Sequence, residues 1–228
     1  ISQQSAAPAS TRHETPLPTP TTSTTSTTVT TATGSTTASA ATKTTTARSP
    51  VMDTLFLVDT SDSTAPIMPP LSSSVADAAR ALGSKAKQTA LWNYSSPLSP
   101  GVTKGWRENL GFGDAEMVAQ AVAQFGTGGV SQSRSALASA VDAAAEHSQS
   151  SGQVRVVLVT TGTESDMDTR TFHQQVAQPR KSVHLSVVHI GRAQPDKAIE
   201  DVADTHITVA DGTDAKEMKA ALEKAAGL

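Results

Sequence analysis

Met52-Asp-Thr-Leu-Phe-Leu-Val-Asp59-Thr-Ser61-Asp-Ser63 is the stretch on which the reading of this chain turns. Leu55 to Val58 are apolar without a break, the pattern of a strand covered on both faces rather than of one with a wet side. The run then stops on a carboxylate and passes into hydroxyls. A strand with an apolar body and a polar tip suits a central position in a sheet, with its carboxyl end open to a ligand.

Working outward, Val154-Arg-Val-Val-Leu-Val-Thr160 is the clearest further buried strand, and Val183–Ile190, Lys87–Tyr94, Gly105–Phe112 and His206–Val209 complete a set of six. Between them lie segments of helical spacing: Ser72–Leu82 behind capping serines and ahead of a Gly83 stop, Glu116–Phe125, Arg134–His147, Thr169–Gln178, Asp196–Ala203 and Ala215–Ala226. Strands that alternate with helices predict an α/β fold: a doubly wound, mostly parallel six-stranded sheet with helices on both faces. His184 and His189, five apart on one strand, face opposite ways and cannot share a ligand. Trp92 and Tyr94 share a face and read as core.

Residues 1–50 have a different composition, mostly Thr, Ser, Ala and Pro, with no aromatic residue. Such a segment cannot bury enough apolar surface to offset about 1–2 kcal/mol of backbone entropy per ordered residue. It predicts a disordered stalk or linker ahead of a domain over 51–228, of the kind often O-glycosylated outside the cell. The expected location is therefore extracellular or cell envelope. The start at Ile1 rather than Met implies a chain that is either processed or cut from a longer one, with any targeting segment removed. Net charge is −3 with no basic stripe, which argues against nucleic acid as partner. No apolar run approaches the roughly 20 residues of a transmembrane segment. The absence of cysteine excludes disulfides and thiolate metal sites.

In an open α/β sheet the chemistry sits just past the strand tips. There the sequence places Asp59, Ser61 and Ser63 after the first strand, Ser131 after Gly126-Thr-Gly-Gly129, and Thr161-Gly162 with Glu164 and Asp166 after the Val154–Thr160 strand. Oxygen donors gather without sulfur or imidazole, a set for a hard cation such as Mg²⁺, Mn²⁺ or Ca²⁺. Asp62 reads as solvent-facing, and Asp53 lies at the opposite end of the sheet.

Asp59-x-Ser61-x-Ser63 at the end of a first apolar strand resembles the DxSxS signature of von Willebrand factor A (VWA) domains, their metal-ion-dependent adhesion site. Leu91-Trp-Asn-Tyr-Ser95 is similar to the family's second strand. Gly128-Gly129 with Ala136-Leu137 beyond it is similar to its second metal loop, and Val156–Gly162 to the strand that ends in Thr-Asp-Gly. The likeness runs from about Val51 to Leu228 and is nearest in appearance to actinobacterial secreted proteins in which such a domain follows an extracellular solute-binding domain. It implies a Rossmann-like fold, a metal set of Asp59, Ser61, Ser63, Ser131 and Thr161, and Mg²⁺ or Mn²⁺ as cofactor.

The sequence departs from that pattern twice. The loop threonine is Ser131 on the Ala-Leu register, or Val130 if counted from the double glycine. Thr161 stands where the family carries an aspartate. One of two negative charges is lost, which weakens a cation site, unless Glu164 or Asp166 reaches in. No nucleophile elbow is present, since Gly129-Val-Ser131-Gln-Ser133 lacks the closing glycine, and neither a phosphate loop nor a dinucleotide fingerprint follows a strand. The expectation is a non-enzymatic protein-binding or adhesion module whose partner offers an Asp or Glu carboxylate to the cation. The alternatives are a metal-independent structural or assembly domain of an envelope complex, and an accessory domain serving a solute-binding domain ahead of Ile1.

Overall fold

A computed structural model describes residues 49–164 and 166–228. Apart from Ser49 and Pro50, the expected stalk lies outside the described residues. Six strands form one sheet: β1 (Thr54–Asp59), β2 (Thr89–Tyr94), β3 (Trp106–Gly113), β4 (Val154–Thr160), β5 (Val183–Ile190) and β6 (Thr205–Val209). Their order is β3-β2-β1-β4-β5-β6, with β3 antiparallel to β2 and every other pair parallel. The fold is the expected one. The chain moves outward from β1 to β2 and β3, then returns to place β4 on the other flank of β1. The strand order therefore reverses beside the tip of β1, where such sheets open a crevice.

The two faces of β1 explain its unbroken apolar run. Phe56 and Val58 pack under α1 (Met68–Gly83), α2 (Ala115–Val122) and α6 (Ala215–Ala225), with Leu91, Val157, Val159 and Val188 beside them. Leu55 and Leu57 pack under α3 (Ser133–Ser151), α4 (Thr169–Ala177) and the short α5 (Lys197–Glu200), with Trp92, Val156 and Leu158. All four β1 side chains are fully buried. Truncating one such residue to Ala costs about 2–5 kcal/mol.

Several local expectations are corrected. Helix α1 begins at Met68, so Ser72–Ser74 lie inside it and cap nothing; a 3₁₀ turn over Asp62–Ile67 leads in instead. Pro69 and Pro70 are admitted because first-turn N–H groups have no intrahelical acceptor to lose. Gly83 does not stop α1 by a left-handed turn. A Cβ there would sit 2.7 Å from the Ala115 Cβ, so glycine is required by the close approach of α1 to the start of α2. The left-handed residue is Ala86, at φ 58°. The Asp196–Ala203 helix shrinks to Lys197–Glu200, capped by Asp196.

Arg155 is the second residue of the buried strand β4 and is itself fully buried. Its guanidinium donates to Ala226 O (2.5 Å), Ser49 Oγ (2.6 Å) and Pro50 O (3.1 Å). Neutral oxygens alone receive the charge, and burial pushes its pKa down to about 10. This clasp joins the start of the described chain to the end of α6, at the end of the sheet away from the β1 tip. Among the described residues no helix is long and apolar enough to cross a membrane.

Candidate functional site

The tip of β1 presents Asp59, which is fully buried yet accepts three hydrogen bonds. Ser61 N–H donates to Oδ1 (2.8 Å), while Thr161 N–H (3.2 Å) and Thr161 Oγ1–H (2.7 Å) donate to Oδ2. Ser63 Oγ lies 2.6 Å from Thr161 Oγ1, and Ser61 Oγ lies 2.8 Å from Ser63 Oγ. Each hydroxyl has one proton, so the directions follow from counting. Thr161 gives its proton to Asp59, Ser63 therefore donates to Thr161, and Ser61 donates to Ser63. Four of the expected residues form one continuous oxygen chain that ends on a carboxylate.

Ser131, the fifth, stands to one side. It is buried, while Val130 is exposed. Its hydroxyl donates to Gly162 O at 2.5 Å and so ties the α3 entry loop to the loop after β4. Thr163 reinforces that tie, accepting from Ser133 N–H (3.0 Å) and donating to Ser131 O (3.3 Å). Neither nearby carboxylate joins Asp59. Asp166 is turned to the first turn of α3, where it accepts weakly from Ser135 N–H at 3.3 Å. Glu164 is exposed, and its side chain has no hydrogen-bond or ion-pair partner among the described residues. Asp62 is exposed, as its reading required. Asp62, Val130, Thr161 and Glu164 surround an open hollow of about 340 Å³ above the chain.

Sequence reasoning missed the supports of this tip. Tyr94 OH donates to Val159 O (3.2 Å) and accepts from Ser133 Oγ (3.0 Å), beneath the site. Burial, and secondly the Asp59 charge, push its phenol well above the ordinary value. On the other flank Asn93 Nδ2 donates to Thr60 Oγ1 (2.9 Å) and Asn109 Nδ2 to Asn93 Oδ1 (2.8 Å). Arg134 and Asp196 close the far rim with paired contacts of 2.7 and 2.9 Å. His189 is a buried core histidine bonded to Ala193 O (2.7 Å), and His184 faces the other way, toward Thr205. Asp53 is structural, accepting from Gln88 N–H and meeting His147 at the opposite end of the sheet.

Whether these residues fit a cation turns on charge. The donors are hard oxygens in the right place, Asp59, Ser61 and Ser63 with Thr161 and Ser131 near. Only one is anionic, and both of its oxygens are already engaged. Among the described residues no cluster of three or more His, Cys, Asp or Glu is arranged to hold a metal. The set fits a hard cation in donor type, and is short of charge.

No protein-family model matches the sequence, and no curated protein matches it. Solved structures do. The pilus adhesin SpaC of Lactobacillus rhamnosus GG aligns at TM-score 0.61 and 12% identity, over 78% of this chain and 30% of its own. Proximal thread matrix protein 1 of the mussel byssus aligns at TM-score 0.59 and 15% identity, over 76% and 46%. A von Willebrand factor type A protein of Catenulispora acidiphila aligns at TM-score 0.53 and 14% identity, over 75% and 42%. The chain spans less than half the length of each of these proteins. With its sheet order, its two helical layers and its strand-tip cluster, this chain has the VWA fold.

Proposed function

We propose that the chain is a non-enzymatic protein-binding module of the adhesion type, working at the cell envelope or outside the cell, which meets its partner with the strand-tip face. The observation that carries this reading is the single bonded chain Ser61–Ser63–Thr161–Asp59 at the point where the strand order reverses, beneath an open hollow. Hydroxyls and one carboxylate offer binding chemistry, with no nucleophile and base poised for a covalent step. The adhesin and byssus-thread proteins of like fold support an adhesive role, and one form of the mussel protein carries a zinc-occupied metal-ion-dependent adhesion site.

Asp59, Ser61 and Ser63, with Ser131 and Thr161 beside them, would hold Mg²⁺ or Mn²⁺. When bound, the ion supplies an electrophilic point for a partner's Asp or Glu carboxylate. Thr161 weakens that ion in two ways: it lacks the second negative charge, and its hydroxyl occupies the Asp59 oxygen. The same bond favours a second reading, a metal-independent contact domain in which Thr161 does the work of satisfying Asp59. Calorimetry of the full chain with Mg²⁺, Mn²⁺ and Ca²⁺ separates the two. Weak, saturable heat that vanishes in Asp59→Ala supports the cation; heat that is absent, or unchanged in Asp59→Ala, leaves the metal-independent reading.

A further inference from the structure

Beside the strand tips, between the β2–β3 corner and the end of α2, lies a cavity of about 580 Å³. Asn93 and Arg107 oppose one another across β2 and β3, so their side chains leave the same face of the sheet. The amides are oriented by their own bonds: Asn109 spends both N–H groups on Asn93 Oδ1 and Arg107 O, and Asn93 spends one on Thr60, leaving its other N–H free. Arg107 is exposed, and its guanidinium has no hydrogen-bond or ion-pair partner among the described residues. No carboxylate lines the cavity. Glu108, the adjacent acid on β3, is paired with Lys104 and lies opposite Trp92, on the other face.

The Phe125–Thr127 segment also borders a second hollow of about 650 Å³ between α1 and α2, where Met68, Ala76, Ala119 and Ala123 stand beside Ser72, Ser73 and the ion-paired Asp77 and Arg80. We propose that Arg107 is the anion receiver of this domain, and that it takes the side-chain carboxylate of an acidic residue in an extended protein segment whose apolar neighbour enters the second hollow. A guanidinium matches a carboxylate with two parallel N–H···O bonds, and an unpaired one in a carboxylate-free pocket is complementary to that group. Two adjoining hollows, the second with Met68, Ala119 and Ala123 open to an apolar side chain, suit a peptide better than an acidic sugar, which carries none. The inference rests on the reading that the chain binds protein, and moves the carboxylate contact from the Asp59 cation to Arg107.

The test uses the ¹⁵N-labelled full chain in EDTA, titrated with acetyl-Gly-Leu-Glu-Leu-Gly-amide, with its Gln counterpart and with glucuronate. The expected result is saturable shifts at the Arg107 Nε–H and at the amides of Gln124 and Thr127. Affinity should fall tenfold or more for the Gln peptide and for Arg107→Gln, and stay unchanged in Arg170→Gln, which removes an exposed guanidinium on α4. Shifts that persist in Arg107→Gln, or no peptide binding at all, overturn the inference. So does binding of glucuronate without the peptide. Peptide binding that is absent in EDTA, appears when Mn²⁺ replaces EDTA and is kept in Arg107→Gln returns the carboxylate to the strand tip, overturning this inference while sparing the proposed function. Because EDTA removes cations, a failed cation titration and a failed peptide titration remain separate results.

Discussion

Thr161 Oγ1 donates to Asp59 Oδ2 at 2.7 Å, and the Thr161 backbone N–H reaches the same oxygen at 3.2 Å. A residue that looks in sequence like the loss of a ligand is, in the fold, a twofold hydrogen-bond partner of a fully buried carboxylate. An unpaired buried charge is heavily penalised; this one is paired to three donors.

Asp59→Ala should therefore destabilise the metal-free domain. It leaves Ser61 N–H, Thr161 N–H and the Thr161 hydroxyl without their acceptor, a loss of about 1–3 kcal/mol. Urea unfolding in EDTA measures it. A variant within experimental error of the parent would show that Asp59 carries no structural load and is kept open for another role.

Tyr94 is the sole tyrosine of the chain, which makes it a clean optical probe. Its folded pKa is raised by burial and by the Asp59 charge, whereas an unfolded tyrosine titrates near pH 10. The stability it contributes is fully present below about pH 10 and is lost as pH rises above that, because only the unfolded state releases the proton there. Tyrosinate absorbance should appear together with unfolding and not before it. A smooth titration near pH 10 with the fold intact would contradict the buried placement.

Arg155→Ala should cost about 2–4 kcal/mol, from the cavity left in the sheet and from carbonyls of Pro50 and Ala226 that lose their donor. Urea unfolding gives the value, and faster hydrogen exchange at the end of α6 would locate it. Loss of the residue with no change in either would mean that the clasp holds nothing.

What the sequence made legible follows from how local each signal was. The apolar runs of β1 and β4 announced doubly covered strands, and the hydroxyls after Asp59 announced a polar tip, because each depends on neighbours in the chain. The start of α1 was misread because prolines inside a first turn look like breakers until the unused N–H groups are counted. Arg155 at the start of β4 has no visible partner in the sequence, since its acceptors come from Ser49, Pro50 and Ala226, far away along the chain. The Thr60–Asn93–Asn109 network was hidden for a related reason: irregular register between β2 and β3 decides which β3 side chains face Asn93. The position of Thr161 just past β4 is legible in the sequence, but its bond to Asp59 depends on the β1 and β4 tips lying side by side.

The most direct test is calorimetric titration of Mn²⁺ into the parent, Thr161→Asp and Asp59→Ala. Restoring a second carboxylate adds attraction of about 1 kcal/mol at 4 Å in bulk water and about 4 at an effective dielectric of 20. Even the smaller figure tightens binding several-fold, as about 1.4 kcal/mol is tenfold. Thr161→Asp should bind Mn²⁺ several-fold or more tightly than the parent, and without metal it should unfold at lower urea because two carboxylates then repel. Asp59→Ala should show no binding. Equal Mn²⁺ affinity in the parent and Thr161→Asp, or binding that survives Asp59→Ala, would contradict a strand-tip site in which Thr161 stands between Asp59 and the cation.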